Sequence, residues 1–157
     1  MITIGIDPGT ACGWAMLDGA GKRLGSGVWD LRVLRGEGNG MRFIRLRSHL
    51  TELVRTAKEL GGDVLVAYEL VTRHRSGHVG HVYGGIQSHL MTVCEDHGTA
   101  YSPVPWEDLK LRATGRRGAK KPEMIAAANA HWGLDLGSDD EADALWCALV
   151  GHERWGV

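Results

Sequence analysis

Four acidic side chains stand where carboxylates can do chemistry. Asp7 closes the run Ile2-Thr3-Ile4-Gly5-Ile6, and Glu69 closes the run Val64-Leu65-Val66-Ala67-Tyr68. Acids at the carboxyl ends of strands in an open α/β sheet can share the crevice where such sheets bind ligands. Near the other end of the chain, Ser138-Asp139-Asp140-Glu141 has the form of a capping box that opens a helix. Asp139 and Asp140 are then ordinary first-turn acids, favoured by the helix dipole. Asp143 has no such explanation. At about 100° per residue, Asp140, Asp143, Cys147 and Val150 form one stripe beside Trp146, so Asp143 sits at the edge of the face that Leu145, Trp146 and Leu149 must bury. A buried carboxylate needs a cation, a full set of hydrogen bonds or an altered pKa. For four converging acids, Asp7, Glu69, Asp140 and Asp143, a bound metal is the simplest partner. Asp139, four residues before Asp143 on nearly the same face, is the alternative to Asp140. All-oxygen ligands suit magnesium or manganese. Two such ions about 3.5–4 Å apart can activate a water and stabilise a leaving oxygen in phosphodiester hydrolysis.

The elements that must hold these acids follow from periodicity. Ile2, Ile4 and Ile6 alternate with Thr3 and Gly5, which predicts a strand; further strands are expected at Gly13–Leu17 and Arg23–Leu31, forming an antiparallel meander. Phe43, Leu46, Leu50, Leu53, Ala57 and Leu60 recur at steps of three and four, so a helix is expected over Asn39–Leu60, ended by Gly61-Gly62. The apolar run before Glu69 suits a central strand covered on both faces. A second helix is expected over about Gly77–His97, a short strand over Ala100–Val104, and helices near Glu107–Arg112, Pro122–Trp132 and from Ser138 onward. This order describes one α/β domain with a mixed sheet over residues 1–157.

Composition narrows the class. The 157 residues are 43% hydrophobic and 24% charged, with a formal net charge of −1, which neither invites nor excludes nucleic acid. Cys12, Cys94 and Cys147 are too scattered for a zinc site and read as reduced structural thiols; the eight histidines follow no zinc spacing either. No apolar run reaches the roughly 20 residues of a membrane span, and none resembles a signal peptide. Charge is distributed unevenly. Between Leu109 and Pro122 stand Lys110, Arg112, Arg116, Arg117, Lys120 and Lys121 without an acid, a segment suited to contact with a DNA backbone. Arg73, His74, Arg75 and His78 form a second basic cluster directly after Glu69. Arg42, Arg45 and Arg47 read as the polar face of a helix.

The residues Ile6-Asp7-Pro8-Gly9-Thr10, Glu69 and Asp140-Glu141-Ala142-Asp143-Ala144-Leu145 resemble the RuvC Holliday junction resolvases, and the element order agrees over essentially the whole chain. The resemblance implies an RNase H-like fold, with a mixed five-stranded sheet and helices on both faces. It implies that Asp7, Glu69, Asp140 and Asp143 bind two magnesium ions, with manganese able to substitute. Lys121 stands where the family places a lysine that helps at the scissile phosphate. The implied activity is paired cleavage of Holliday junctions or related branched DNA by a cytoplasmic homodimer, in a bacterial or phage-infected cell. The dimer contact would lie on the helix from about Gly77 to His97, where Val79, Val82, Tyr83, Ile86, Leu90 and Val93 offer apolar surface. Whether a branch-migration helicase is a further partner stays open. One departure stands out: Leu70-Val71-Thr72-Arg73-His74 lacks the Phe or Tyr that members often carry shortly after the glutamate. An RNA-processing nuclease of the YqgF-like group and a non-catalytic module for branched DNA are the alternatives. An actin-type ATPase, whose first phosphate loop is similar, needs two lobes that this length cannot supply.

Overall fold

A computed structural model describes residues 1–156. Strands β1 (Ile2–Asp7), β2 (Ala11–Leu17) and β3 (Arg23–Asp30) form the expected meander, followed by helix α1 (Met41–Glu59), strand β4 (Val64–Leu70) and helix α2 (Gly77–Asp96). Strand β5 (Ala100–Pro105) leads into α3 (Trp106–Thr114), α4 (Lys121–Trp132) and α5 (Asp139–Trp155). The five strands lie in the order β3-β2-β1-β4-β5. β1 is antiparallel to β2 and parallel to β4, and β4 is parallel to β5, so the sheet is mixed.

The pleat of β1 assigns its side chains to two cores. Ile2, Ile4 and Ile6 point to the face covered by α1 and α2, where they meet Leu46, Leu50, Val66, Ile86 and Leu90. Thr3 and Gly5 point to the other face, covered by α5 with α3 and α4 around it. Asp7, two residues beyond Gly5, belongs to this second face. In β4 the same period sends Val64, Val66 and Tyr68 to the first core and Ala67 to the second, so Glu69 joins Asp7 on the α5 side. The parallel register pairs Ile6 with Tyr68, which makes Asp7 and Glu69 neighbours at the end of the ladder.

Helix α5 approaches the sheet down to its backbone. A Cβ at Gly5 would stand 2.1 Å from the Ala144 carbonyl oxygen, and one at Gly13 would stand 1.9 Å from that of Asp140. Only glycine permits this contact at either position. Farther along, a Cβ at Gly151 would meet that of Ala67 at 2.5 Å, so the helix is seated at both ends. The seat brings the first two turns of α5 over the ends of β1 and β4.

Two expectations are corrected. Ser138 precedes α5 as predicted, but no capping box forms, because Glu141 is engaged elsewhere: it accepts a hydrogen bond from Ser26 Oγ (2.6 Å), which itself accepts one from Arg23 Nε (2.6 Å). Glu141 thus ties the first turn of α5 to β3. Most apolar residues expected to be spare on α2 are covered within the chain: Tyr83, Ile86, Leu90 and Val93 are buried, and a Cβ at Gly85 would meet the Phe43 ring of α1 at 2.5 Å, while Val79 stays exposed. The buried ones face the sheet and α1 and offer nothing to a partner. Cys12, Cys94 and Cys147 are buried free thiols, as expected. No helix among the described residues is long and apolar enough to cross a membrane.

The seat makes a direct prediction. Gly5→Ala forces a methyl group into backbone atoms that cannot yield without moving α5. Overpacking of this kind costs about 1–3 kcal/mol. Urea denaturation should show at least that loss, and an unchanged midpoint would mean that α5 is not seated on Gly5.

Candidate active site

Asp7, Glu69 and Asp143 converge where β1, β4 and α5 meet. Each offers a carboxylate oxygen, and these oxygens lie within 4.8 Å of one another. Asp7 and Glu69 act directly on each other's ionisation. Burial pushes the Asp7 carboxyl well above the usual range, and the Glu69 and Asp143 charges push the same way. Burial also raises Glu69, opposed by its bond to Asp7 and by the Lys110 ammonium. Asp143 is pushed up to about 8, first by burial and then by the Glu69 charge. Three crowded acids with raised pKa values fit a cation, since full ionisation places like charges in a desolvated site.

Asp140 stands outside this trio of oxygens. It lies in the first turn of α5, 3.4 Å from Ser138 Oγ, with its pKa raised by burial and then by the Asp139 charge. Its charge also acts on Asp7, Glu69 and Asp143, so it forms the rim of the cluster. Asp139 is held by Lys121, whose ammonium pairs with it at 2.7 Å.

A cavity of about 620 Å³ opens over the acids, lined by Glu69 and Asp143 together with Arg73, Trp106, Lys110 and Lys121. Lys110 reaches it from α3, its ammonium 4.4 Å from the centre of the Trp106 ring. A second cavity of about 410 Å³ adjoins the first, with Val71 and Arg73 lining both. Arg42, His74, Arg75 and His78 surround it, and the Pro8-Gly9-Thr10 turn closes one side.

The basic segment divides in the structure. Lys110 and Arg112 belong to helix α3, whose end is fixed by Gly115 at φ +76°. Lys110 and Lys121 face the acids. Arg112 makes a two-pronged ion pair with Glu153 and Arg116 pairs with Glu123 at 2.8 Å, whereas Arg117 and Lys120 are exposed. Arg42, Arg45 and Arg47 are absorbed by α1 and its neighbours: they bond the Leu31 carbonyl, Glu37 and Asp96. Tyr83, expected at a subunit contact, instead bonds the backbone beside Glu69. No local pattern marks it, because its partners lie 12 and 14 residues earlier in another element.

A mixed sheet in this order, covered on both faces and carrying acids at adjacent strand ends, defines the RNase H-like class. No protein-family model matches the chain. It is 31% identical to the crossover junction endodeoxyribonuclease RuvC of Anaeromyxobacter sp. (strain Fw109-5), over 98% of this chain and 74% of that protein. It is 28% identical to the RuvC of Brachyspira hyodysenteriae over 98% of this chain and 95% of the relative. The fold matches Thermus thermophilus RuvC with a TM-score of 0.79 at 23% identity, covering 99% of this chain and 97% of that one. The T. thermophilus RuvC in complex with a Holliday junction substrate matches at 0.80, also at 23% identity, over 99% and 96%. The chain belongs to the RuvC family of crossover junction endodeoxyribonucleases.

The crowded acids make stability depend on pH. Asp143 keeps its proton in the fold up to about 8, whereas the unfolded chain releases it near 3.8. Between these values the folded state binds more protons, so metal-free stability falls as pH rises through this window. Asp143→Asn removes this residue's share of the effect, while Asp7 and Glu69 keep theirs. Without metal at pH 8 this variant should melt above the wild type, and the two curves should converge toward pH 4. A variant that melts lower at pH 8 would contradict the charge account.

Proposed function

We propose that this chain resolves Holliday junctions or related branched DNA by metal-dependent, paired phosphodiester hydrolysis. The observation that carries the reading is the trio of raised-pKa carboxylates, its oxygens within 4.8 Å, in a chain of the RuvC family. Asp7, Glu69 and Asp143, with Asp140 at the rim, are the residues that would hold two magnesium ions, or manganese in their place. Bound there, the ions would supply activation of a water and charge stabilisation on the leaving oxygen.

The chain's own residues supply position and counter-charge. Asp7 and Glu69 lie on strands of one sheet and Asp143 on the helix seated against it, so the ligand set is rigid before DNA arrives. Lys121 holds Asp139 in the free protein, is largely exposed, and lines the acid cavity. A scissile phosphate entering that cavity would compete with Asp139 for the same ammonium, which supports a role for Lys121 at the reacting group. Lys110 and Arg73 flank the path, and His74 and Arg75 extend it past the second cavity. Arg117 and Lys120 contact the backbone beyond it. Arg112 and Arg116 join them at small cost, since exposed ion pairs are worth about 0–1 kcal/mol. A relative carrying the same fold has been seen with a Holliday junction substrate, which supports branched DNA as the substrate.

Resolution requires cuts in two strands of like polarity across a nearly two-fold junction, so the working unit is a homodimer with an isologous contact. The α2 residues available for it are the exposed ones, Val79, Gly84 and Ser88 among them. A Cβ at Gly84 meets nothing within 4 Å, so the monomer accommodates Gly84→Arg. Sedimentation should show a dimer that this variant splits, with paired nicking lost. A wild-type monomer at micromolar concentration, with and without junction DNA, would defeat the dimer.

Substitution of the acids tests the site itself. Asp7→Asn, Glu69→Gln, Asp140→Asn and Asp143→Asn should each lower cleavage at least about 100-fold. Four-way junction binding in calcium should persist, because each change removes negative charge near phosphates. Normal cleavage by any of the four variants would remove that residue from the site. An inactive Asp139→Asn beside an active Asp140→Asn would exchange their roles.

A further inference from the structure

The hydroxyl of Tyr83 accepts a hydrogen bond from the Val71 N–H (3.0 Å) and donates one to the Glu69 carbonyl oxygen. Tyr83 is 8% exposed. The reason for this arrangement lies in the sheet. β4 keeps β5 as a partner as far as Leu70, but β1 only as far as Tyr68. Continuing the register would set Pro8 beside Leu70, and proline has no N–H to donate. The backbone on the β1 side of residues 69–71 therefore has no strand partner just where Glu69 must be held. One phenol hydroxyl, both donor and acceptor, makes the two bonds that a residue of a neighbouring parallel strand would make there.

We propose that Tyr83 is a positioning residue for Glu69: it completes the β4 ladder past the proline turn and so aims the Glu69 carboxylate at Asp7 and Asp143. This rests on the reading of Glu69 as a metal-holding acid. Tyr83 touches neither metal nor DNA backbone in this role. The His74 ring lies against it, with centroids 4.8 Å apart, so the basic segment after β4 packs on the same anchor. Bonds that orient a ligating carboxylate from behind typically change metal affinity by about 10–100-fold when removed.

Tyr83→Phe keeps the ring and removes only the hydroxyl. Calorimetric titration with manganese, and cleavage as a function of manganese concentration, should both show affinity weakened at least about tenfold. Binding to a four-way junction in calcium should be unchanged. The titrations belong at a temperature where melting curves show both proteins fully folded, which separates positioning from lost stability. In a Glu69→Gln background, adding Tyr83→Phe should change manganese affinity no further, because Tyr83 acts only through Glu69. Wild-type manganese affinity in Tyr83→Phe would overturn the proposal, as would an equal further loss in the double variant. If Glu69→Gln alone leaves manganese affinity intact, the reading of Glu69 is what fails.

Discussion

Helix α5 rests on the bare backbone of β1 and β2, and the geometry of the acid cluster depends on that contact. Gly5 lies under Ala144 and Ala148, and Gly13 lies under the Asp140 carbonyl. A side chain at either glycine would lift the helix and carry Asp143 away from Asp7 and Glu69. The Glu141–Ser26–Arg23 chain then fixes the first turn sideways onto β3. Asp7 and Glu69 need no such device between themselves, since neighbouring parallel strands in register place them side by side. A rigid sheet holds two acids, and a closely seated helix brings the third.

Holding these carboxylates together works against folding unless a cation is present. Burial raises Asp7, Glu69 and Asp143 alike, and each charge penalises the others. The protein leaves that repulsion only partly answered: Lys110 acts on the cluster from α3, while Lys121 is paired to Asp139. A site complementary to metal before it is complementary to protein charges is the outcome. The positive groups are arranged around it instead, with Arg73 at the wall between the acid cavity and the basic one.

Much of this was legible in the residues alone. A period of two in Ile2–Ile6, ending in Asp7, carries both the strand and the face on which the acid emerges. The apolar run before Glu69 marks a central strand, and Asp143 betrays itself by falling on a stripe that must be buried. Features that failed to show depend on partners distant in sequence. Glu141 looks like half of a capping box until Ser26, 115 residues away, takes its carboxylate. The apolar stripe of α2 predicts a buried face but not which neighbour buries it, and α1 and the sheet do so without a second chain. Counting cations between Leu109 and Pro122 cannot reveal that Arg112 reaches Glu153, 41 residues on. Asp140 sits outside the trio for a similar reason: helical phase brings it to the correct face, but its own first-turn contacts decide how far it reaches.

The claim that joins these features is that a seated helix and two strand ends form a metal-dependent site for branched DNA. Its most direct test compares four-way, three-way, flap and linear DNA with magnesium, manganese or calcium as the only divalent ion. The account predicts paired nicks in two strands of like polarity of the four-way junction with magnesium or manganese, no cleavage with calcium, and little cleavage of linear duplex. Equal cleavage of linear and four-way DNA, or cleavage that persists after all divalent ions are chelated, would contradict it.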